Sequence, residues 1–102
     1  MKKFSIYLGM NDKETKVARY DLVTSYKLAE DEILRQATGY SIYLVDGAYK
    51  HSNGTLVKEK SLKIEIMYTT KDAIFEIAKN LKRVFNQEQV IIQEEAIKLE
   101  SI

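Results

Sequence analysis

The chain has 102 residues, 45% of them hydrophobic and 30% charged, with 16 basic side chains set against 15 acidic ones. That length fits one domain spanning residues 1–102, and the composition excludes both a disordered and a membrane-embedded chain. The absence of cysteine removes disulfides, thiolate nucleophiles and cysteine-ligated zinc, and the balanced charge gives no global attraction to a polyanion.

In chain order, MKKFSIYLGM opens with two lysines before an apolar stretch. Ser5 and Tyr7 interrupt that stretch and no small-residue cleavage site follows, so it reads as a first strand rather than a signal peptide. A cytoplasmic location is the expectation. RYDLVTSYKLAEDEILRQA then repeats Leu22, Val23, Tyr26, Ala29, Ile33, Leu34 and Ala37 at steps of three and four. This spacing predicts an amphipathic helix, with Gly39 closing it in the left-handed conformation. YSIYLVDGAYK is rich in β-branched and aromatic residues and reads as a second strand. Asn53-Gly54 predicts a type I′ hairpin turn. In TLVKEKSLKIEIMY, Leu62, Ile64, Ile66 and Tyr68 alternate with Ser61, Lys63, Glu65 and Met67, the period of a strand with one buried face. Thr69 followed by Asp72 suggests the cap of a second helix, whose stripe is Ile74, Ile77, Ala78, Leu81, Val84 and Phe85. QVIIQEEAIKL supplies a last strand.

The order βαββαβ, with right-handed crossovers, predicts an α+β ferredoxin-like fold: a four-stranded antiparallel sheet with both helices on one face. That topology gathers one end from four distant segments. These are Gly9 with the loop after it, the hairpin over 46–58, Glu59 and Ser61, and Asn86-Gln87-Glu88. Loops held by a rigid scaffold are where sites concentrate, so this end is the candidate site.

The pattern Gly47-x-Tyr49, Asn53-Gly54, Glu59-x-Ser61 and Phe85-x-Gln87-Glu88-x-Val90, preceded by Leu8-Gly9, resembles a small bacterial family known as a domain of unknown function. Its pattern is a strand ending in glycine, then G-x-W, D/N-G, E-x-S and F-x-Q-E-x-V. Tyr49 stands where that family has tryptophan, and its longer proline-containing segment before the second strand is missing. The resemblance implies the ferredoxin-like fold and no reaction. The long hairpin between strands two and three is also similar in topology to PII-type signalling proteins, whose equivalent loop touches nucleotides and partners.

Gly47, Tyr49, Glu59, Ser61, Gln87 and Glu88 are the candidate residues for binding a small ligand or another protein. The plainer reading is that Glu59 and Gln87 satisfy backbone groups at the hairpin root. Glu59 and Glu88 as an acid–base pair lack a nucleophile or oxyanion donor beside them. His51, the sole histidine, has no second imidazole near it and reads as a solvated turn residue, and no metal or other cofactor is implied. Nucleic-acid binding through the sheet is disfavoured because Lys63 and Glu65 stand where aromatic signatures would be needed. Tyr7, Tyr43 and Val45 on the helix-free face suggest a homodimer interface, with the edge of strand two as the other route. The expectation is a small non-enzymatic accessory protein of a bacterium or mobile element that works by binding. A ligand sensor or enzyme at the hairpin root is the alternative.

Overall fold

Leu62, Ile64 and Ile66 are fully buried while Ser61, Lys63 and Glu65 alternate with them, so a period of two makes one face of this strand core. The computed structural model describes residues 1–50 and 52–102. The elements are β1 (Lys2–Gly9), α1 (Leu22–Leu34), β2 (Ser41–Lys50), β3 (Leu56–Ile66), α2 (Lys71–Val84) and β4 (Ile91–Ala96). The sheet is antiparallel with order β2-β3-β1-β4, the ferredoxin-like arrangement. Phe4, Ile6 and Leu8 of β1 meet Ile74, Ile77 and Leu81 of α2 and the Phe85 that follows it in the core, with Ala29 and Ile33 from α1. Tyr20 seals its edge, its ring 5.4 Å from Phe85 in a T-shaped contact and its hydroxyl donating to the Val84 carbonyl at 3.0 Å.

Several local expectations shift. Asp21 caps α1 by accepting from the Thr24 N–H at 2.7 Å, and the helix ends before Ala37. Val23 and Leu34 are exposed, and Ser25, Ala29, Glu32 and Ile33 form the buried face instead. The periodic stripe was broader than the face one neighbouring layer can cover. Gly39 is not left-handed; the last turn tightens because the Gln36 and Ala37 N–H groups both donate to the Ile33 carbonyl. The residue that closes a helix in the left-handed region is Asn86, at φ 49° after α2. The Gln87 N–H reaches the Lys82 carbonyl and the Asn86 N–H the Arg83 carbonyl, which is a Schellman motif built on asparagine. Tyr68 leaves the strand pattern at φ 56° and is exposed.

The hairpin turn differs too. Gly54 has φ 88° while Asn53 does not lie in the left-handed region, so a type I′ turn does not form. Asn53 Oδ1 instead accepts from the Thr55 N–H at 2.9 Å, an Asx turn inside a longer connection between Lys50 and Leu56. The expectation for His51 falls outside the described residues.

β3 pairs with β1 only as far as Ser61, yet with β2 as far as Leu56. The pairs from Asp46↔Lys60 to Lys50↔Leu56 therefore project as a two-stranded ribbon, lengthening the molecule to 49 Å on its long axis.

The second helix is capped by Thr70, whose hydroxyl accepts from the Ala73 N–H at 3.1 Å, rather than by Thr69. We expect Thr70→Ala to cost about 1 kcal/mol in urea unfolding, and Thr69→Ala clearly less. Equal losses, or a larger one at Thr69, would contradict this assignment.

Candidate functional site

β1 ends where Gly9 pairs with Ser61. One further backbone bond, Met10 N–H to the Lys60 carbonyl at 3.1 Å, prolongs the ladder before the chain leaves the sheet. At that point side chains replace the missing strand partner. The Asn11 N–H donates to Glu59 Oε2 at 3.1 Å, and its carbonyl accepts from Gln87 Nε2 at 2.6 Å. Gln87 also donates to the Phe85 carbonyl at 3.3 Å, and it is buried. Both polar groups of one residue are thus held by two segments far apart in sequence.

The clamp needs a glycine beneath it. A Cβ on Gly9 would lie 2.8 Å from Gln87 Oε1, closer than such contacts occur, and 3.0 Å from each carboxylate oxygen of Glu59, tighter than most. Gln87 is in place because the Schellman turn at Asn86 directs the chain back toward β1.

The loop after Asn11 is fastened to the same turn. The Asp12 N–H donates to the Val17 carbonyl at 2.8 Å, and the Lys16 N–H returns to the Asp12 carbonyl at 2.9 Å. The buried Asp12 carboxylate accepts from the Glu14 N–H at 2.8 Å, the Thr15 N–H at 3.2 Å and Asn86 Nδ2 at 3.1 Å, with Arg19 at 3.9 Å. The Glu14 N–H and then the Asn86 amide hold its carboxyl below the ordinary aspartate range, since each favours the ionised form. Lys16 sits at φ 65°, a conformation costing about 1 kcal/mol or more for a residue with a Cβ.

These segments enclose a cleft of about 510 Å³ on the helix-free side of the sheet. Tyr7, Tyr49, Val57 and Ile91 supply apolar and aromatic lining, Glu59, Ser61 and Glu88 polar lining, and Lys13 and Lys16 stand on the loop. The structure therefore brings Tyr49, Glu59, Ser61, Gln87 and Glu88 together around Gly9. It leaves Gly47 outside: Gly47 lines a neighbouring cleft of about 700 Å³ with Met10, Ala18 and Lys58, which Glu59 also borders. Tyr7 belongs both to the site and to the open sheet face. Its hydroxyl donates to Gln93 at 3.0 Å, and Lys63 lies 5.8 Å from its ring centre. Tyr43 is 49% exposed and Val45 half-buried farther along that face.

The centre of the open face is ionic. Glu65 pairs with Lys3 at 3.3 Å and Lys63 at 3.6 Å over the buried Ser5. Burial works against the charge on Glu65, but the Tyr43 hydroxyl and Lys3 outweigh it and hold the carboxyl below its ordinary range.

Asp12, Lys13 and Lys16 entered the candidate end only as part of the loop after Gly9, and none was singled out. Asp12 carried a usable signal, an aspartate three residues before Thr15 in a polar loop, as in an Asx turn. The two lysines carried none, because only the folded loop turns them toward the cleft.

No family model matches the chain, and no curated protein matches it. Among solved structures, a phage SAM lyase in complex with S-methyl-5′-thioadenosine is similar. It has 23% identity over 92% of this chain and 79% of that one, at a TM-score of 0.69, and its apo state gives 0.71. B. subtilis GlnK bound to ATP aligns over 92% of this chain and 82% of its own at 16% identity and a TM-score of 0.55. The periplasmic divalent cation tolerance protein CutA from Archaeoglobus fulgidus aligns over 99% of this chain and 88% of its own, also at 16% identity and 0.55. At these identities the likeness is one of fold, and it agrees with the PII-type topology read from the hairpin.

The lyase corrects one expectation. A non-enzymatic domain was inferred from missing nucleophiles and paired acid–base groups, yet this chain arrangement carries an enzyme in the phage protein. Residue types exclude only reactions that need them.

Two outcomes test the site's construction. Gly9→Ala should lose about 1–3 kcal/mol in urea unfolding, because its methyl must displace the Glu59 and Gln87 heads; a variant as stable as the parent would contradict the clamp. Asp12 is more acidic folded than unfolded, so its contribution is present above the unfolded value and lost as pH falls through the folded one. Asp12→Asn should therefore melt lower than the parent at pH 7, with the gap closing below about pH 4. A gap unchanged at pH 3 would refute this role.

Proposed function

We propose that the cleft at the hairpin root binds an adenosyl sulfonium of the S-adenosylmethionine type and splits it to S-methyl-5′-thioadenosine. The observation that carries this reading is the mixed character of the cleft. Aromatic rings at Tyr7 and Tyr49 suit a stacked base. The carboxylates of Glu59 and Glu88 suit a ribose and a sulfonium, and Lys13 and Lys16 suit an anionic end. The fold shared with the phage lyase, and with GlnK in its ATP complex, supports an adenine-bearing ligand.

In this reaction the carbon–sulfur bond breaks with its electron pair going to sulfur, and the sulfonium becomes a neutral thioether. The four-carbon amino-acid part closes through its own carboxylate oxygen, so no water, proton acceptor or co-reactant is consumed. Two charges disappear, and a substrate lifted out of water toward a partly apolar wall gains from that loss. The two oxygens of Glu59 divide the work. Oε2 is taken by the Asn11 N–H, while Oε1 takes no hydrogen bond among the described residues and is left for ligand.

The same reading includes a second copy of the chain over the open face at Tyr7, Tyr43 and Val45. A two-stranded ribbon with nothing across it is marginal in water, and the projecting pairs beyond Ser61 carry the exposed Tyr49 and Leu56. A net charge of +1 sets no electrostatic barrier against self-association.

Incubation with S-adenosylmethionine should yield S-methyl-5′-thioadenosine by chromatography. Glu59→Gln, which keeps an acceptor for Asn11 and removes the charge, should slow it at least about tenfold while retaining the melting temperature. No product together with no calorimetric binding of either compound would defeat the proposal. Light scattering should report twice the chain mass at micromolar concentration, and a monomer at high concentration would defeat the dimer.

A further inference from the structure

The charges around the cleft are not equally committed. The Asp12 carboxylate is taken up by the Glu14 and Thr15 N–H groups and the Asn86 amide, so its charge is used inside the loop. Lys13 and Lys16 line the cleft from that same loop, and among the described residues neither forms an ion pair. Glu59 and Glu88 line the same cleft. A ligand in this cleft meets both cations and carboxylates.

Lys16 adds an independent observation. Its φ of 65° is imposed by two backbone bonds, the Asp12 N–H to the Val17 carbonyl and the Lys16 N–H to the Asp12 carbonyl. Glycine fits such a position without steric cost, and asparagine with less of it. The chain holds a lysine there instead, in a strained conformation beside a cleft, which is where retained strain points to a use for the side chain.

Resting on the adenosyl reading, we propose that Lys13 and Lys16 form a carboxylate subsite. It would grip the amino-acid end of the ligand and so distinguish S-adenosylmethionine from S-methyl-5′-thioadenosine, which lacks that end. Substrate then has a held carboxylate that the product nucleoside lacks, so the cleaved nucleoside leaves more readily than the intact sulfonium. The Lys13 N–H bonds the Asn86 carbonyl through the backbone, so changing its side chain leaves the loop fastened.

Calorimetry with S-adenosylhomocysteine, which keeps the carboxylate and is not cleaved, and with S-methyl-5′-thioadenosine separates the possibilities. The parent should bind the homocysteine compound more tightly. Lys16→Gly should weaken that compound about tenfold, as for loss of one charge-assisted contact, and change the thioadenosine less than about twofold. Its melting temperature should hold or rise because the strain is relieved. Lys13→Ala, which leaves the loop geometry untouched, should show the same selectivity. Equal weakening of both ligands, or of neither, overturns the subsite while leaving the adenosyl reading intact. Failure of the parent to bind either ligand overturns both.

Discussion

Everything at the working end depends on how Asn11 is held where β1 runs out of partners. Its N–H goes to Glu59 and its carbonyl to Gln87, and the two heads meet only because Gly9 has no side chain. One missing Cβ therefore joins the sheet, the hairpin root and the end of α2 into a single unit. The loop carrying Asp12, Lys13 and Lys16 starts from that anchored residue, and Asn86 ties it down a second time through Asp12. The cleft inherits its shape from these contacts.

The arrangement also explains why a structural and a ligand-binding role need not exclude each other at Glu59. A carboxylate has two oxygens and more lone pairs than one backbone N–H uses. Fixing Oε2 orients Oε1, so the same hydrogen bond that stabilises the loop presents a charge to the cleft at a set position. Preorganisation of this kind suits a reaction that proceeds by placement and desolvation, with no nucleophile from the protein.

The architecture was legible because its signals are collective. Alternation over Leu62, Ile64 and Ile66, and the stripe from Ile74 to Phe85, each repeat one message several times, and burial follows them. Single-residue signals fared worse. Gly39, Asn53-Gly54 and Thr69 each suggested a backbone state by residue type, and local hydrogen bonds or a neighbouring Thr70 took over that role. Tyr49, Glu59, Ser61, Gln87 and Glu88 share one cleft because topology alone collects their segments. Gly47 faces another cleft, and Lys13 and Lys16 were invisible because their direction is decided by a tight loop around Asp12. The expectation of a non-enzymatic protein failed on a different ground, since an enzyme shares the fold and missing residue types exclude only the reactions that need them.

The central claim is that the cleft around Gly9 takes an adenosyl ligand. Titration of the isotopically labelled protein with S-methyl-5′-thioadenosine, followed by backbone amide resonances, tests it most directly. Saturable shifts concentrated at Gly9, Asn11, Glu59, Ser61, Gln87 and Glu88, with the far end at Thr70 and Ala73 unmoved, are the result predicted. No saturable shift, or shifts centred on the far end at Thr70 and Ala73, would contradict the account.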